Sequence, residues 1–263
     1  MIFNIKNNAK SAAQIEFDGS MLYARNGADW EAAFLESGTI RFLNDPGEVE
    51  VFLCSNGYSG GTTARLQGNV GQWWLYGAGG GRGGDYLIRP VSLKRNVDYT
   101  LTIGAESTLS GGDVSLSTAA GTRGASGGQG AICRAETSVY ASSGVTQQPG
   151  AGGDGIFAFN EPSDTTLIEE FKGKRFCAGG GGGDAAHISV NVFCSSDNKG
   201  GLTDAGNGSK FRKVNGVNTA TDSTAGAPNS ASGGGGARCT YEQNDDTSKA
   251  GGTGILFIRN RRN

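Results

Sequence analysis

Residues 179–183 read GGGGG, and this run is one of several glycine-rich stretches that decide the fold of the second half of the chain. The others are GTRGASGGQG (121–130), GAGGDG (150–155), GGLTDAGNG (200–208), GAPNSASGGGG (226–236) and GGTG (251–254). Ordering glycine is entropically costly, and a glycine run has no side chain to bury in return. Flexible linkers are therefore the simplest interpretation. However, linkers join domains, and each segment between these stretches is too short to fold alone.

The glycine runs can instead form the core themselves. Polyproline-II-like helices have three residues per turn and no internal hydrogen bonds, so their N–H and C=O groups can pair with neighbouring helices. Only glycine permits close approach on every side of such a helix. The runs have no Gly-X-Y period, which excludes collagen. The sequence therefore favours a bundle of packed glycine helices, with flexible linkers as the alternative.

The first part of the chain has a more ordinary composition and predicts a compact β-domain over residues 1–117. Residues 28–36 have helical composition and predict one short helix, which Gly38 would end. Alternating or continuous apolar residues predict strands over 39–43, 49–53 (half-buried), 97–103 and 255–258. The predicted fold is a mainly β N-terminal domain followed by a polyglycine II helix sandwich with projecting variable loops over residues 118–263.

The segments between the glycine-rich stretches hold most of the aromatic and charged residues of the second half. They are 131–149, 156–178, 184–199, 209–225 and 237–250. Several glycine-rich stretches contain a reversal signal, such as Pro149 or Pro228. If each glycine-rich stretch crosses the core, reverses direction and crosses back, the segments before and after it emerge at the same end of the molecule. Loops on a rigid scaffold commonly carry function.

Charge and cysteine usage narrow the class of protein. The net charge is −2 and the sequence pI is near 5.5, which does not suggest nucleic-acid binding. The five cysteines are odd in number and form no C-x-x-C pair, so we expect buried free thiols rather than a zinc site or a disulfide framework. Neither a signal peptide nor an apolar run long enough to span a bilayer is visible. We expect a protein made in the cytoplasm that is not membrane-inserted and has no cofactor.

Motifs for catalysis are weak. The G-x-G-x-x-G patterns at 79–84 and 150–155 are expected by chance in so glycine-rich a chain, and neither opens a predicted helix. His187 is the single histidine and has one nearby acidic residue, too few for a metal site. The acidic pairs at 169–170 and 245–246 favour solvated loops over a glycosidase dyad. The sequence therefore does not favour an enzyme.

The tryptophans are more informative. Trp73 and Trp74 are adjacent, and adjacent residues of a strand face opposite sides. One ring can fill the core, and the other is exposed unless it meets a partner. Tryptophan is enriched at the energetic centres of interfaces, so one of the pair, and Trp30 on the predicted helix, are candidates for binding.

The chain resembles a known family in the order of its parts. A small β-domain with Trp73-Trp74 is followed by GAGGGRGG (77–84) and then by glycine-rich motifs that alternate with loops. This order is similar to that of the receptor-recognising adhesins at the tips of the long tail fibres of T-even-type bacteriophages. The resemblance covers essentially the whole chain and lies in the alternation, not in one short signature.

The resemblance implies a single copy of the protein at the distal tip of the virion's trimeric long tail fibre. The N-terminal domain would attach to the fibre, with Trp30, Trp73 and Trp74 as anchors. The variable segments would bind an outer-membrane protein of a Gram-negative host and set host range. Aromatic residues on rigidly held loops give large contact area at low entropic cost. The receptor-binding candidates are Tyr140, Phe157, Phe159, Phe171, Phe193, Phe211, Arg212 and Tyr241.

Two other functions remain open. One is an enzyme that degrades surface polysaccharide, which would present a carboxylate groove on a repetitive β-solenoid. The other is a purely structural, cold- or ice-binding polyglycine protein, which would have flat, regular repeats with few loops. The long, irregular segments between the glycine runs favour the adhesin over both.

Overall fold

The computed structural model describes residues 13–68, 71–136, 144–187, 192–194, 199–201, 204–215, 217–241 and 246–260. Within these ranges the protein is mainly β and contains no α-helix. Strands β1 to β19 span Ile15–Phe17, Met21–Asn26, Asp29–Phe34, Gly38–Phe42, Gly47–Cys54, Ala64–Gln67, Gln72–Tyr76, Tyr86–Leu93, Asp98–Thr102, Thr108–Gly111, Val114–Ser117, Ile132–Glu136, Gly144–Gln147, Ala185–His187, Val192–Cys194, Lys210–Val214, Val217–Thr221, Cys239–Thr240 and Ile255–Asn260. Short 3-10 helices occupy Thr118–Ala120, Ala158–Asn160 and Glu169–Phe171.

Two five-stranded sheets pack face to face at one end of the molecule, which we term the base. The first sheet has the strand order β1-β4-β9-β10-β11, and the second has the order β2-β3-β19-β5-β8. Apolar residues such as Phe42 in the first sheet and Val51 in the second are fully buried in their common core. The strands predicted over 39–43, 97–103 and 255–258 are confirmed as β4, β9 and β19.

The helix predicted over 28–36 is wrong, because Asp29–Phe34 form strand β3. Asn26 and Gly27 precede this strand, and Gly27 has a φ of 62°. Asn26 pairs with Asp29, so Gly27 and Ala28 form a two-residue turn. A glycine with positive φ at the first position of such a turn is typical of a tight β-hairpin. Strands β2 and β3 accordingly pair as a hairpin, and β3 is buried between β2 and β19.

The second sheet is buried on both faces. Alternation over 49–53 predicts that β5 is buried on one face only. This is wrong, because Phe52 and Cys54 are as buried as Val51 and Leu53, which point to the other face. Residues 156–176, which we term the base segment, cover this second face. They contribute rings to an aromatic cluster with centroid separations between 5.2 and 6.3 Å, made of Phe52, Phe159, Phe171, Phe176 and Phe257.

Beyond the base, the chain crosses the molecule repeatedly in extended segments without ladder pairing. Those running away from the base are 55–63, 123–131, 177–184, 204–209 and 231–238. Those returning to it are 77–85, 148–155, 199–201, 222–227 and 246–254. Each outward segment is thus followed along the chain by a returning one. We term the end opposite the base the distal end.

Backbone hydrogen bonds between these segments recur at every third residue. Between two neighbouring segments the donor–acceptor pairs are Ser55–Asp85, Tyr58–Arg82 and Gly61–Gly79. An antiparallel β-ladder alternates with a period of two residues instead. Three residues per turn is the period of a polyproline-II-like helix, whose backbone groups point outward to neighbours.

The segment 177–184 has neighbours on several sides, and it is termed the central segment. Its successive N–H donors and their carbonyl acceptors are Gly179–Gly153, Gly180–Gly81, Gly181–Gly206, Gly182–Gly150 and Gly183–Ala78. The donors therefore return to the same neighbouring segment after three residues. A Cβ atom at Gly182 would lie 1.8 Å from the carbonyl oxygen of Gln129, so this packing requires glycine.

At the distal end the extended segments lead into three smaller sheets. Their strand orders are β13-β12-β7-β6, β15-β14-β18 and β16-β17. The first two share a small buried cluster that includes Leu75, Cys133, Ala185 and Cys239. These sheets continue the direction of the segments below them.

The division into residues 1–117 and 118–263 stays a prediction. Strand β19, from the C-terminal part, lies between β3 and β5 in the second sheet of the base. Conversely, the extended segments 55–63 and 77–85 pair with segments from the C-terminal part. Both ends of the molecule therefore contain residues from each half of the chain.

Candidate binding surface at the distal end

The distal strands have their outer ends on the same side of the molecule, opposite the base. Strand β7 pairs antiparallel with both β6 and β12, whereas β14 pairs parallel with β18. The β6–β7, β12–β13 and β14–β15 connections, and the chain after β18, therefore leave at the same end. The β16–β17 hairpin lies beside them, because β16 follows a segment that runs parallel to the central segment. Several connections can thus build one surface.

An aromatic stack supports this end from the inside. The His187 ring lies parallel to the Tyr241 ring at a centroid separation of 4.2 Å. Trp73 meets Tyr241 edge-on at 5.2 Å. His187 is fully buried at the end of β14, so the stack joins three strands or their ends immediately beneath the connections. Such ring contacts restrict how the strands can move relative to one another.

The outer face of the β13-β12-β7-β6 sheet carries apolar and aromatic side chains. Trp74 lies opposite Leu66 on β6 and Arg134 on β12. Leu66 is 54% exposed, and the Arg134 guanidinium lies 5.6 Å from the centre of the Trp74 ring. Tyr76 is two residues along the same strand, so it faces the same side and is half-buried. Tryptophan, tyrosine and arginine are enriched at protein interfaces.

The β16–β17 hairpin is a second exposed region of the distal end, on the side of β14 and β15. All residues of β17 are exposed, and Val217 is exposed by 63%. Arg212 on β16 is also exposed. Phe211 beside it is buried, and its N–H donates to Oδ2 of the buried Asp184 at 2.6 Å. The hairpin is therefore fixed to the central segment at its root and presents polar and apolar groups along its length.

The receptor-binding residues predicted from the sequence divide between the two ends. Arg212 and the half-buried Tyr241 lie at the distal end. Phe211 lies there too, but it is buried, so receptor contact through its ring is a wrong prediction. Tyr140 and the side chain of Phe193 lie outside the described residues.

The segment 156–178 does not reach the distal end, and two predictions fail with it. Phe159 and Phe171 are buried against the second sheet of the base, where packing removes their rings from water. Receptor contact through these two rings is therefore wrong. Phe157 is half-buried in the same segment, with the Arg175 guanidinium 4.5 Å from its ring centre.

The tryptophans predicted as fibre anchors are also separated. Trp30 is only 3% exposed and packs between Tyr23 and Phe42 in the base core, so its ring cannot serve as an external anchor. Trp73 and Trp74 lie on β7 at the distal end, away from the base. The expectation that they face opposite sides is confirmed, since Trp73 turns inward to Tyr241 and Trp74 lies on the outer face.

A cavity of about 380 Å³ opens at the base between the second sheet and the base segment. Its acidic lining residues are Asp29, Glu31, Glu50 and Glu161. Arg259 donates to both Glu50 and Glu161 at 2.6 Å. Burial raises the pKa of Glu31, against the opposing effect of hydrogen bonds from Thr166 and from the Leu167 N–H. Because its oxygens accept these bonds, Glu31 fastens the base segment to β3.

Within the described ranges, no group of three or more His, Cys, Asp or Glu residues could hold a metal ion. Nor does that part of the chain contain a helix long and apolar enough to cross a membrane. The distal surface and the base cavity are therefore the features from which a function can be inferred. No protein-family model matches the chain, and no curated protein or solved structure is significantly similar to it.

Proposed function

We propose that the chain is a tail-fibre tip adhesin of a T-even-type bacteriophage that binds an outer-membrane protein of its host and sets host range. One observation carries this proposal: the β6–β7, β12–β13, β14–β15 and β16–β17 connections leave the molecule at one end. A binding face assembled from several loops on a common scaffold needs this convergence. The protein would act by binding and not by catalysis.

We infer that the extended segments are polyglycine II helices packed as a sandwich. The three-residue repeat of their hydrogen bonds supports this, as does the 1.8 Å clearance for a Cβ atom at Gly182. Such a scaffold is held by backbone groups, so the connecting residues can vary without altering contacts in the core. This independence suits a protein that must follow changes in a receptor.

The composition of the distal surface suits a protein partner. Trp74, Leu66 and Arg134 form an apolar patch with a positive charge, as at the energetic centres of interfaces. The exposed hairpin adds Arg212 and Val217 elsewhere at the same end. A receptor embedded in the outer membrane offers only its extracellular loops, and several converging loops can contact these together.

The opposite position of the base fits attachment to a fibre. A single copy of the chain on the end of a trimeric long tail fibre must keep its binding face away from the carrier. The base lies at the far side of the extended segments from the distal connections. This arrangement supports the proposed location at the distal tip of the virion's tail fibre.

Binding of the purified protein to a panel of Gram-negative cells tests the proposal. We expect saturable binding to some strains, lost from mutants that lack one outer-membrane protein, and no release of reducing sugar. Trp74→Ala and Arg134→Ala should each weaken binding about tenfold or more, equivalent to ~1.4 kcal/mol. Arg41→Ala is the matched control, because Arg41 is exposed on the base.

The control variant and the assay for reducing sugar distinguish the proposed binding function from the alternatives. Arg41→Ala should bind as the wild type does. Failure to bind any strain, or equal binding by the distal variants and the control, would contradict recognition through this surface. Release of reducing sugar from intact cells would favour the polysaccharide-degrading enzyme instead.

A further inference from the structure

Strand β17 is the outer strand of the distal hairpin. It pairs with β16 on one side, and no other described strand pairs with it. All five of its residues, Val217–Thr221, are exposed. The inner strand β16 contacts β15, and its Phe211 is buried. The side of β17 away from β16 is therefore an open edge, where backbone N–H and C=O groups face water.

The register of the hairpin shows which backbone groups lie on this edge. Val214 pairs with Val217 across two intervening residues. This closing pair must be a hydrogen-bonded one, because the alternative would require the two adjacent turn residues to bond each other. Hydrogen-bonded and non-hydrogen-bonded pairs alternate along an antiparallel ladder. Asn218 and Ala220 thus direct their N–H and C=O groups away from β16.

The N–H of Phe211 supports this register independently. Phe211 lies opposite Ala220, so its N–H should point away from β17. It does so, since it donates to Oδ2 of Asp184 at 2.6 Å. The corresponding N–H of Ala220, on the other edge of the hairpin, has no backbone partner among the described residues. The hairpin therefore has one edge fixed to the molecule and one edge unpaired.

The β17 edge lacks the features that usually prevent pairing with another chain. Its sequence, VNTAT, contains no charged residue and no proline, and its register with β16 has no bulge. Charged residues, proline and bulges are the common means of blocking an edge. Strand β8, at the edge of the second sheet of the base, carries both Arg89 and Pro90. This contrast indicates that β17 is able to accept a further strand.

The charge of the hairpin defines what kind of strand fits. Residues 210–221 include three cationic residues and no acidic one. Lys210 and Arg212 share one face of the hairpin with the threonines that they pair with on β17. A strand added to β17 would place alternate side chains on the same face, about 10 Å, or two strand spacings, from β16. The long cationic side chains span part of this distance, so carboxylates on the added strand would be attracted to them.

We propose that the β17 edge binds an extended, acidic segment of the receptor's extracellular loops as an added strand. The proposal rests on the adhesin function and specifies how the receptor is recognised. Backbone hydrogen bonds at Asn218 and Ala220 would supply affinity, and the cations would select an acidic sequence. A second copy of the chain fits less well, because it would bring the same cations to the edge. Two five-residue strands also bury much less than the roughly 1,200 Å² of a stable interface.

Residue-resolved hydrogen exchange tests the edge with a defined probe. The probe is an acetylated, amidated heptapeptide of alternating glutamate and valine, and its control has lysine in place of glutamate. At half-saturation, amide exchange of Asn218 and Ala220, measured by NMR, should slow about twofold, because the bound half is protected. Exchange of Thr219, whose N–H is directed to β16, should not change. The lysine peptide should slow none of these amides.

Cell binding tests whether the receptor uses the edge. Ala220→Pro removes an outward N–H at a position where an edge strand tolerates proline, and it should weaken binding to host cells about tenfold or more. Ala220→Val keeps this donor and should bind as the wild type does. The melting temperatures of the two variants are compared to confirm that both fold. If Ala220→Pro fails to fold, the peptide measurement decides alone.

The proposal is overturned if the acidic peptide at millimolar concentration leaves both amides unchanged, or if all amides of β17 slow alike. Slow exchange of Asn218 and Ala220 in the protein alone, lost on dilution, would overturn it by assigning the edge to a second copy. Equal cell binding by Ala220→Pro and the wild type would overturn the receptor's use of the edge and leave the adhesin function standing. If no strain binds the wild-type protein, the adhesin function fails, and the peptide measurement still decides whether the edge accepts a strand.

Discussion

At single positions, the packing of the extended segments depends on the lack of a side chain. A Cβ atom at Gly182 would lie 1.8 Å from the Gln129 carbonyl oxygen, and one at Gly235 would lie 1.8 Å from that of Asn207. Both obstacles are backbone atoms, which cannot rotate aside as a flexible side chain can. Gly144 on β13 is different, because nothing lies within 4 Å of the position that a Cβ atom would take there.

We expect Gly182→Ala and Gly235→Ala each to lower the free energy of unfolding by more than about 3 kcal/mol, beyond the usual range for overpacked cores, or to prevent folding. Gly144→Ala is the control and should change it by no more than about 0.5 kcal/mol. Urea unfolding followed by circular dichroism measures these differences. Equal stability of Gly182→Ala and Gly144→Ala would show that the segments are not in close contact.

The buried carboxyl of Glu31 leads to a pH dependence. Burial raises its pKa above the ordinary value of 4.5, so the folded state holds this proton more tightly than the unfolded chain does. The resulting stabilisation is present at low pH and is lost as the pH rises through the raised folded pKa. Glu31→Gln removes the buried charge, and its amide can accept from Leu167 and donate to Thr166.

We therefore expect Glu31→Gln to melt at a higher temperature than the wild type at neutral pH. The difference should shrink as the pH falls to about 4, where the wild-type carboxyl is protonated in both states. Thermal unfolding of both proteins between about pH 4 and pH 8 measures it. A difference that is constant across this range would mean that the carboxyl does not titrate as its burial requires.

At the scale of strands and loops, local alternation was enough to predict β4 and β9, because inward apolar residues repeat at every second position. A continuous apolar run was enough to predict β19. The prediction of a helix over 28–36 failed because alanine and aromatic residues also suit a buried strand. In addition, the turn of a hairpin begins directly after Asn26, at Gly27. The prediction that phenylalanines of the base segment contact a receptor failed for another reason. Phenylalanines in a loop can serve a receptor or a core, and only the neighbouring sheet decides which.

The outer distal patch could not be predicted from the sequence for a similar reason. Leu66 and Arg134 become neighbours of Trp74 only through the pairing of β6, β7 and β12. Their short strands carry mixed polar residues and give no strong alternation. The opposite facing of the two adjacent tryptophans, in contrast, follows from strand geometry alone and could be predicted.

Within β7, the two tryptophans should separate stability from binding. Trp73→Ala removes the ring that meets Tyr241, and we expect it to lower the free energy of unfolding by about 2–4 kcal/mol. Trp74→Ala should cost less than about 1 kcal/mol, because its ring lies on the outer face, but it should weaken binding to cells. Chemical unfolding and cell binding of both variants are compared. A larger loss of stability for Trp74→Ala would reverse the assigned facing.

At the scale of the whole molecule, the mainly β class was predictable, but the path of the chain was not. Recurrent glycine runs without foldable units between them indicate a shared core. Which run neighbours which is decided by backbone hydrogen bonds, such as that from Gly180 to Gly81, and such bonds leave no signal in the side chains. The runs are too alike for their sequences to specify an order.

Hydrogen exchange across the whole chain distinguishes a packed core from linkers. The amides of residues 179–183 all donate to neighbouring chain segments, although they belong to no strand. We expect them to exchange as slowly as those of β19, because both require large-scale opening. Exchange followed by mass spectrometry measures this. Linker-like, rapid exchange of residues 179–183 would contradict the hydrogen-bonded arrangement.

The position of β19 has a consequence for how the protein is made. A ribosome releases the chain from its N-terminus, so β2, β3 and β5 leave the exit tunnel long before residues 255–260. Until those residues emerge, β3 and β5 flank an empty place in the middle of their sheet. Productive folding of the base therefore waits until residues 255–260 have been synthesised. A premature stop codon before Ile255 would leave an incomplete base that cellular proteases can degrade, so only messages read through to this strand yield a working molecule.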